Sequence, residues 1–584
     1  MESYRLDGRV AMRFLRFAGG FWRGASAGPA WFLTLGLALF LLLSTGATLG
    51  LNRWQKWFFD ALERKDIEAA GWAVLVFAGI IAAMAAIGVG IVLTREYLQV
   101  RWRAWLVERL VALWTGRNRF YHLGAGDSRL DNPEYRISDD TRWATEPMVD
   151  LVIGLFSAVI GAAAFVTILW TVGGSYRLAL GDVSVTIPAY MVLVALVYGA
   201  LASGLILWVG RQLVSAVAGK NAAEGAFRFA MMRVRENAES VALAGGAASE
   251  ERALKTLYGA VAARWFDIVR QHGRITWVTN ASGPMIPIVP LLFAAPKYFA
   301  GELSLGEVVQ LGGAFVQVQL AISWIVDNYA RLSEWFASAR RVLDIADACD
   351  GLDRVLGSPE SGKIAIQRSP GTDLRLEDVV VTGDDGQAIV AASGLVLKPG
   401  EHAHVHGGTG AGKTSLVRAL AGLWSRGSGR IVVPEQSRLM VLPQKPYLPT
   451  GSLRNALLFP YNAAGISDGE LIAALADAGL AHLGARLDSI ERWDLVLGTG
   501  ERQRLCLCRA FVHRPDIVVL DDALFALPEE VQADLEARLL ARLGRVTLIG
   551  FSQRTAPVRA GIVPFEIGRQ GGVSRLRRLD PVAA

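Results

Sequence analysis

The chain has 584 residues, 52% of them hydrophobic and 20% charged, with a net charge of +6 and a mean hydropathy of +0.33. Soluble domains are roughly 45–50% apolar, and the excess here lies before about residue 335 in long runs almost free of charge, which excludes an ordinary water-soluble enzyme. No basic stripe with interleaved aromatics is present, so the positive balance points to basic loops beside a membrane and no nucleic-acid partner.

Residues 1–28 carry Arg5, Arg9, Arg13, Arg16 and Arg23 among aromatics and lack a cleavable signal pattern, which predicts an amphipathic segment on the inner leaflet. A bilayer core of about 30 Å needs about 20 apolar residues per helix. Six stretches qualify: Ala30–Leu51, Trp72–Leu93, Met148–Val172, Ile187–Val209, Trp277–Phe299 and Leu305–Val326. The fifth holds Pro284, Pro287, Pro290 and Pro296 and is predicted to kink. Basic residues crowd two long loops, Arg95 to Arg142 and Arg211 to Arg274, and are nearly missing from the connections on the other side. Those loops and both termini are therefore predicted to be cytoplasmic. Residues 29–345 read as the membrane domain, 346–370 as a polar linker bearing Gly, Ser and Pro, and 371–584 as a soluble domain. The latter begins with strand-like runs at Leu374–Val381, Ala388–Leu397 and Glu401–His406. Cysteines occur only at 349, 506 and 508, and the close pair has one intervening residue where zinc and redox motifs have two, so free buried thiols are expected.

The strongest local signal is Gly407-Gly408-Thr409-Gly410-Ala411-Gly412-Lys413-Thr414, a complete G-x-x-x-x-G-K-[ST] between a strand-like run and a helical run. The glycines let backbone N–H groups wrap phosphates, Lys413 is placed for the β- and γ-phosphates, and Thr414 for Mg²⁺. Candidate ATP contacts extend to Ser415, at the positive end of the following helix. Further on, Ile517-Val518-Val519-Leu520-Asp521-Asp522 reads as a buried strand with carboxylates at its tip, with Asp521 as a Mg²⁺ carboxylate. Between them, the Pro-rich stretch Leu442 to Arg454 offers Gln444 to Mg²⁺ and to the attacking water.

In that order and spacing these elements resemble an ABC ATPase, and the whole chain resembles a half-size ABC transporter of the SbmA/BacA-like group with a fused ATPase, related to the peroxisomal fatty-acyl (ABCD) transporters. The membrane half carries the resemblance at Leu51–Gln55, Phe59–Leu62, Tyr97–Arg103, Asp131–Ile137, Glu224–Phe229 and Arg233–Glu239. It implies a multi-domain chain: an all-α six-helix transmembrane domain of the exporter type, then an α/β P-loop nucleotide-binding domain. The charged residues of those stretches are either solvated loop helix or coupling contacts with the ATPase.

The ATPase half departs from the family pattern in several places. The signature loop, normally LSGGQ or LSLGE, reads Leu497-Gly498-Thr499-Gly500-Glu501, so Gly498 stands where a serine would meet the γ-phosphate across a dimer, with Gly500 as the other loop contact. The catalytic glutamate is Asp522, the next loop reads Phe525-Ala526-Leu527-Pro528 without its aspartate, and the switch histidine is Gln553, in Phe551 to Arg554. No aromatic stands clearly upstream to stack on adenine; Val381 and Thr382 occupy that region. One missing methylene sets the Asp522 carboxylate back by about 1 Å, and a misplacement of that size can cost roughly 100-fold. The expectation is strong ATP binding with slow hydrolysis, with Asp522, Gln553 and Gln444 as the catalytic set.

One chain supplies one phosphate loop and one signature loop, so the resemblance implies a dimer. A homodimer is favoured and a heterodimer with a related half-transporter stays open. It further implies a bacterial inner-membrane location and uptake of bulky hydrophilic cargo such as peptides or cobalamin-like compounds. Lipid or drug export is one alternative. The other is proton-coupled transport with a regulatory nucleotide domain, for which Glu224, Glu236, Glu239 and Asp327 are candidates. Glu307, Gln310, Gln317 and Gln319 in the sixth span are candidates to line a wet cavity.

Overall fold

The computed structural model describes residues 8–125, 132–180, 183–357, 362–383, 385–461, 465–553, 561–570 and 572–579; Arg5, Asp131 and Arg554 lie outside them. The chain divides into two compact units, with the main break between Asp350 and Gly351.

The first unit is helical. Its longer helices are α1 (Gly8–Ala18), α2 (Ala27–Glu63), α3 (Ile67–Thr115), α4 (Thr141–Gly173), α5 (Tyr190–Gly210), α6 (Leu213–Glu236), α7 (Ala247–Ser282), α8 (Met285–Phe299), α9 (Leu305–Asp327) and α10 (Tyr329–Gly357). Among the described residues, six helical stretches are long and apolar enough to cross a membrane, one in each predicted region. Several far exceed a bilayer: α2 has 37 residues and α3 has 49, because their polar ends continue the helix past the apolar stretch. The fifth breaks at Gly283-Pro284, where a proline lacks the N–H that would continue α7. A hairpin of β1 (Tyr176–Leu180) and β2 (Val183–Ile187) joins α4 to α5, so Ile187, read as the start of a span, is a strand residue. In α1, Phe14 is fully buried, edge-on to Trp335, while Arg13 forks onto Asp347.

The family-like stretch at the end of α2 docks on the start of α9. Asn52 Nδ2 donates to the Gln310 carbonyl at 3.0 Å, Lys56 pairs with Glu307 at 2.9 Å, and the backbone N–H groups of Gly306 and Leu305 donate to Asp60 and Glu63. Gly306 permits this approach, since a Cβ there would fall 2.2 Å from the Lys56 carbonyl oxygen. The predicted wet stripe on α9 is thus corrected: Gln310 and Gln319 are buried, and Gln319 donates to the Ala195 carbonyl. Inside lipid, unmet polar groups are costly, and the side chains of Asn52 and Gln319 meet theirs on the backbone of a neighbouring helix.

The other charged stretches also find partners within this unit. A π-helical turn, Arg136–Asp140, precedes α4 and delivers Asp140, 1% exposed, to a two-pronged bond with Arg341 at 2.6 and 2.8 Å. Arg136 pairs with Asp344, Arg103 with Glu146, and Asp150 with Arg331 and Gln99. Of the proton-carrier candidates, Glu224 pairs with Lys220 and Asp327 accepts from Ser323.

The predicted linker is mostly ordered structure: α10 runs to Gly357, and strand β3 (Ala365–Ser369) is already part of the second unit's sheet. Polar residues there mark an exposed helix end and an exposed edge strand, which composition alone reads as linker. That unit continues with β4 (Leu374–Thr382), β5 (Ala388–Ala392), β6 (Leu395–Leu397), β7 (His402–Gly407), α11 (Lys413–Leu420), β8 (Gly427–Pro434), β9 (Leu439–Leu442), α12 (Leu453–Leu458), α13 (Asp468–Asp477), α14 (Thr499–His513), β10 (Ile517–Asp521), α15 (Glu529–Leu543), β11 (Thr547–Ser552), β12 (Ile562–Gln570) and β13 (Val573–Arg578). The eleven-stranded sheet runs β3-β8-β4-β5-β13-β12-β7-β11-β10-β9, with β6 on β4. Its centre, β12-β7-β11-β10-β9, is parallel. Every residue of β10 is buried, as expected of a strand covered on both faces. Leu416, Val417 and Leu420 of α11 pack on one face; residues of α14 and α15 pack with Val518 and Leu520 on the other. All three cysteines are buried and free.

Candidate nucleotide site

The parallel strands β7, β10 and β11 end side by side, so the loops that follow them converge at one edge of the sheet. Leaving β7, the loop turns through Gly410 and Gly412, both at positive φ (77° and 92°), a backbone that side chains resist. Helix α11 then starts at Lys413. The Lys413 side chain is buried in the loop and donates to the carbonyls of Gly407 and Gly408 at 2.5 and 3.0 Å. Gly408, Thr409 and Gly410 form its exposed rim, with Ala411 bonded back to Gly408 and Ser415 one turn inside the helix.

Thr414 donates to Asp521 at 3.4 Å. Burial, and then the adjacent Asp522 carboxylate, push the Asp521 carboxyl up. A hydroxyl and a buried carboxylate at this spacing form a hard-oxygen pair that fits Mg²⁺, and the loop with Lys413 fits a polyphosphate.

Behind this pair lies a cavity of about 200 Å³ lined by His404, Gln444, Asp522, Glu536, Ser552 and Gln553 among others. The three predicted catalytic residues therefore share one chamber. Asp522 takes a left-handed conformation, φ 46°, with its N–H bonded to the Phe551 carbonyl at 2.9 Å. Short Asp tolerates that region better than most residues do. The Gln553 side-chain Oε1 accepts from the Thr409 hydroxyl at 3.3 Å, tying the switch position to the phosphate loop. Gly498 and Gly500 stand elsewhere, at the start of α14, where the Gly498 N–H donates to Glu501 at 2.9 Å. No hydrogen bond joins them to the phosphate loop among the described residues. Val381 is fully buried and offers no face to a base.

Two residues of this site escaped the sequence reading. Gln503, 1% exposed, donates to the Gln444 carbonyl at 3.3 Å and accepts from the Ala526 N–H at 3.1 Å. Arg509 donates to the carbonyls of Tyr447 and Ala456. Their signal was a polar residue at each end of the apolar run Leu505–Cys508, in a helix whose inner face is otherwise Leu, Cys and Phe.

Residues 26–299 match the family described as ABC transporter transmembrane region 2, and residues 391–524 match the ABC transporter family. An uncharacterized ABC transporter ATP-binding protein of Synechocystis sp. is 31% identical over 86% of this chain and 75% of its own length. The chain belongs to the ABC transporters. The transporter is also similar to ABC transporter D family member 2, chloroplastic, of Arabidopsis thaliana, at 26% identity over 90% and 81% of the two chains. Inner membrane ABC transporter ATP-binding protein YddA of Escherichia coli is 25% identical over 85% and 86%. The fold is shared with a bacterial Atm1-family ABC exporter solved with ATP bound: TM-score 0.70, 19% identity, covering 93% and 94% of the two chains. The transporter is thus a multi-span membrane protein with an ATP-binding domain of the ABC ATPase type.

Proposed function

We propose that this transporter is a half-size unit that works as a homodimer in a bacterial inner membrane, with its termini and nucleotide domain cytoplasmic. It binds ATP firmly, hydrolyses it slowly, and moves bulky hydrophilic solutes inward. The observation that carries the slow-hydrolysis reading is the contrast within one site. The phosphate loop, Lys413, Thr414 and Asp521 form a complete binding set, while the positions addressing the attacking water are the short Asp522 and the amide Gln553. Thr414 and Asp521, and Gln444 as a further ligand, would hold Mg²⁺, which would supply charge neutralisation for the phosphates. Gln553 donates hydrogen bonds but offers no protonatable imidazole. Gly498 brings no hydroxyl to the opposing site, a loss on the order of 3 kcal/mol by analogy with oxyanion donors.

The hydrophilic-cargo reading is supported by a groove of about 690 Å³ along α7, lined by His272, Thr276, Asn280 and Trp277 among others. Three polar side chains at four-residue spacing put a polar stripe on a helix whose end enters the membrane, where hydrocarbon penalises such groups. The inward direction follows from the resemblance to the SbmA/BacA-like group. In proteoliposomes with ATP and a pH gradient applied separately, ATP alone should drive accumulation of a hydrophilic peptide, and single-turnover hydrolysis should run roughly 100-fold below that of a glutamate-bearing ABC ATPase. Transport driven only by the pH gradient, or hydrolysis at full ABC rates, overturns the reading.

A further inference from the structure

Strand β7 carries histidines at 402, 404 and 406, alternate positions that share one face of the sheet. This is the face packed by α14 and α15, and His404 lines the chamber that also holds Asp522, Gln444 and Gln553. In register, His404 lies beside Gly550 of β11, which lies beside Leu520 of β10, one residue short of the strand tip that leads to Asp522. Gly550 has no side chain to fill the gap. A Cβ built there would sit 3.5 Å from the His404 Cδ2, so the imidazole leans across β11 toward the Asp522 side.

The chemistry of the two groups is complementary. A carboxylate only accepts hydrogen bonds, and a neutral imidazole has one N–H to give. Among the described residues, no protein group hydrogen-bonds the His404 ring or the Asp522 carboxylate. Burial, then the neighbouring His406, push His404 down to about 4, so the ring is neutral at physiological pH. The charged or titratable groups around it are His402 and His406 on its own strand, Glu566 on β12, Asp522 beyond β10 and Glu536 on α15. A polar chamber of about 200 Å³ has room for bridging water.

We propose that His404 is a positioning residue for hydrolysis: its imidazole N–H holds the Asp522 carboxylate, directly or through one water, in the orientation that addresses the attacking water. This rests on the reading that the site hydrolyses ATP. It gives the shortened carboxylate a second point of support that a longer side chain would not need.

The test uses the full-length transporter in lipid nanodiscs, with steady-state ATP hydrolysis as the readout. His404→Leu, similar in bulk but without a donor, should lower kcat by about 30-fold and leave KM for ATP within about twofold. His404→Gln, whose amide still donates from the end of a side chain, should stay within about threefold of wild type. In an Asp522→Asn background, His404→Leu should cause no further loss. Should His404→Leu not fold, Gly550→Val, which crowds the ring from the next strand, should lower kcat in the same way. A fully active His404→Leu, a His404→Gln as impaired as the leucine variant, or additive losses with Asp522→Asn would each overturn the assignment. A wild-type protein that hydrolyses nothing would overturn the hydrolytic reading together with it.

Discussion

Between the membrane helices, three buried polar side chains end on backbone or on an opposite charge: Asn52 Nδ2 on the Gln310 carbonyl, Gln319 on that of Ala195, Asp140 on Arg341. Around the chamber behind the phosphate loop the arrangement differs. Asp522, Gln444 and His404 line a shared space, and their side chains make no hydrogen bond to one another among the described residues. A polar group whose partner is fixed in the fold stabilises; one left facing open volume is available to a ligand or a reaction. Residue type alone does not separate the two cases, since Gln319 and Gln444 carry the same side chain.

The sharpest way to break the contrast is Lys413→Ala. Lys413 is a buried cation on loop carbonyls that a phosphate can replace. Its loss should lower hydrolysis by at least about 1000-fold and abolish binding of a fluorescent nucleotide, with the fold retained. Binding that survives would show that the loop backbone alone suffices. Next in size is Gly306→Val, which should destabilise the membrane unit by about 3 kcal/mol, because the added carbons meet Lys56 and Asp60; thermal inactivation in detergent reads it out. Asp140→Asn removes the buried carboxylate from the two-pronged pair with Arg341. Arg341 is partly exposed, which lowers the expected cost from the 3–5 kcal/mol of a sealed pair to about 2 kcal/mol. The exposed pair at Arg103 should be worth less than about 1 kcal/mol to the same assay, and equal effects at both sites would remove the distinction. Asp522→Glu tests the rate and not the fold. The longer side chain should raise kcat about tenfold despite the positive φ, and an unchanged rate would mean that reach does not limit hydrolysis.

The phosphate loop, the β10 carboxylates and six apolar spans were legible because each is a local pattern with a local cause. The length of α2 and α3 was not, since hydropathy ends where the lipid ends while the helix does not. Residues 346–370 looked like a linker because exposed helix and edge strand share a linker's polar composition. The sequence His402-Ala403-His404-Val405-His406 announced a strand, but which side its histidines occupy depends on pairing with β11 and on what covers that face. For the same reason the glutamines of α9 were read as cavity lining: helical periodicity says which residues share a face and not whether another helix lies against it.

Gln503 holds the 444 loop with one end of its amide and the 526 loop with the other. The segment expected to sense the γ-phosphate and the segment that trails the catalytic carboxylate are therefore yoked by a single side chain. Any shift that nucleotide imposes on one is passed to the other over one amide's span, and a residue far from phosphate sets how stiffly the two move together.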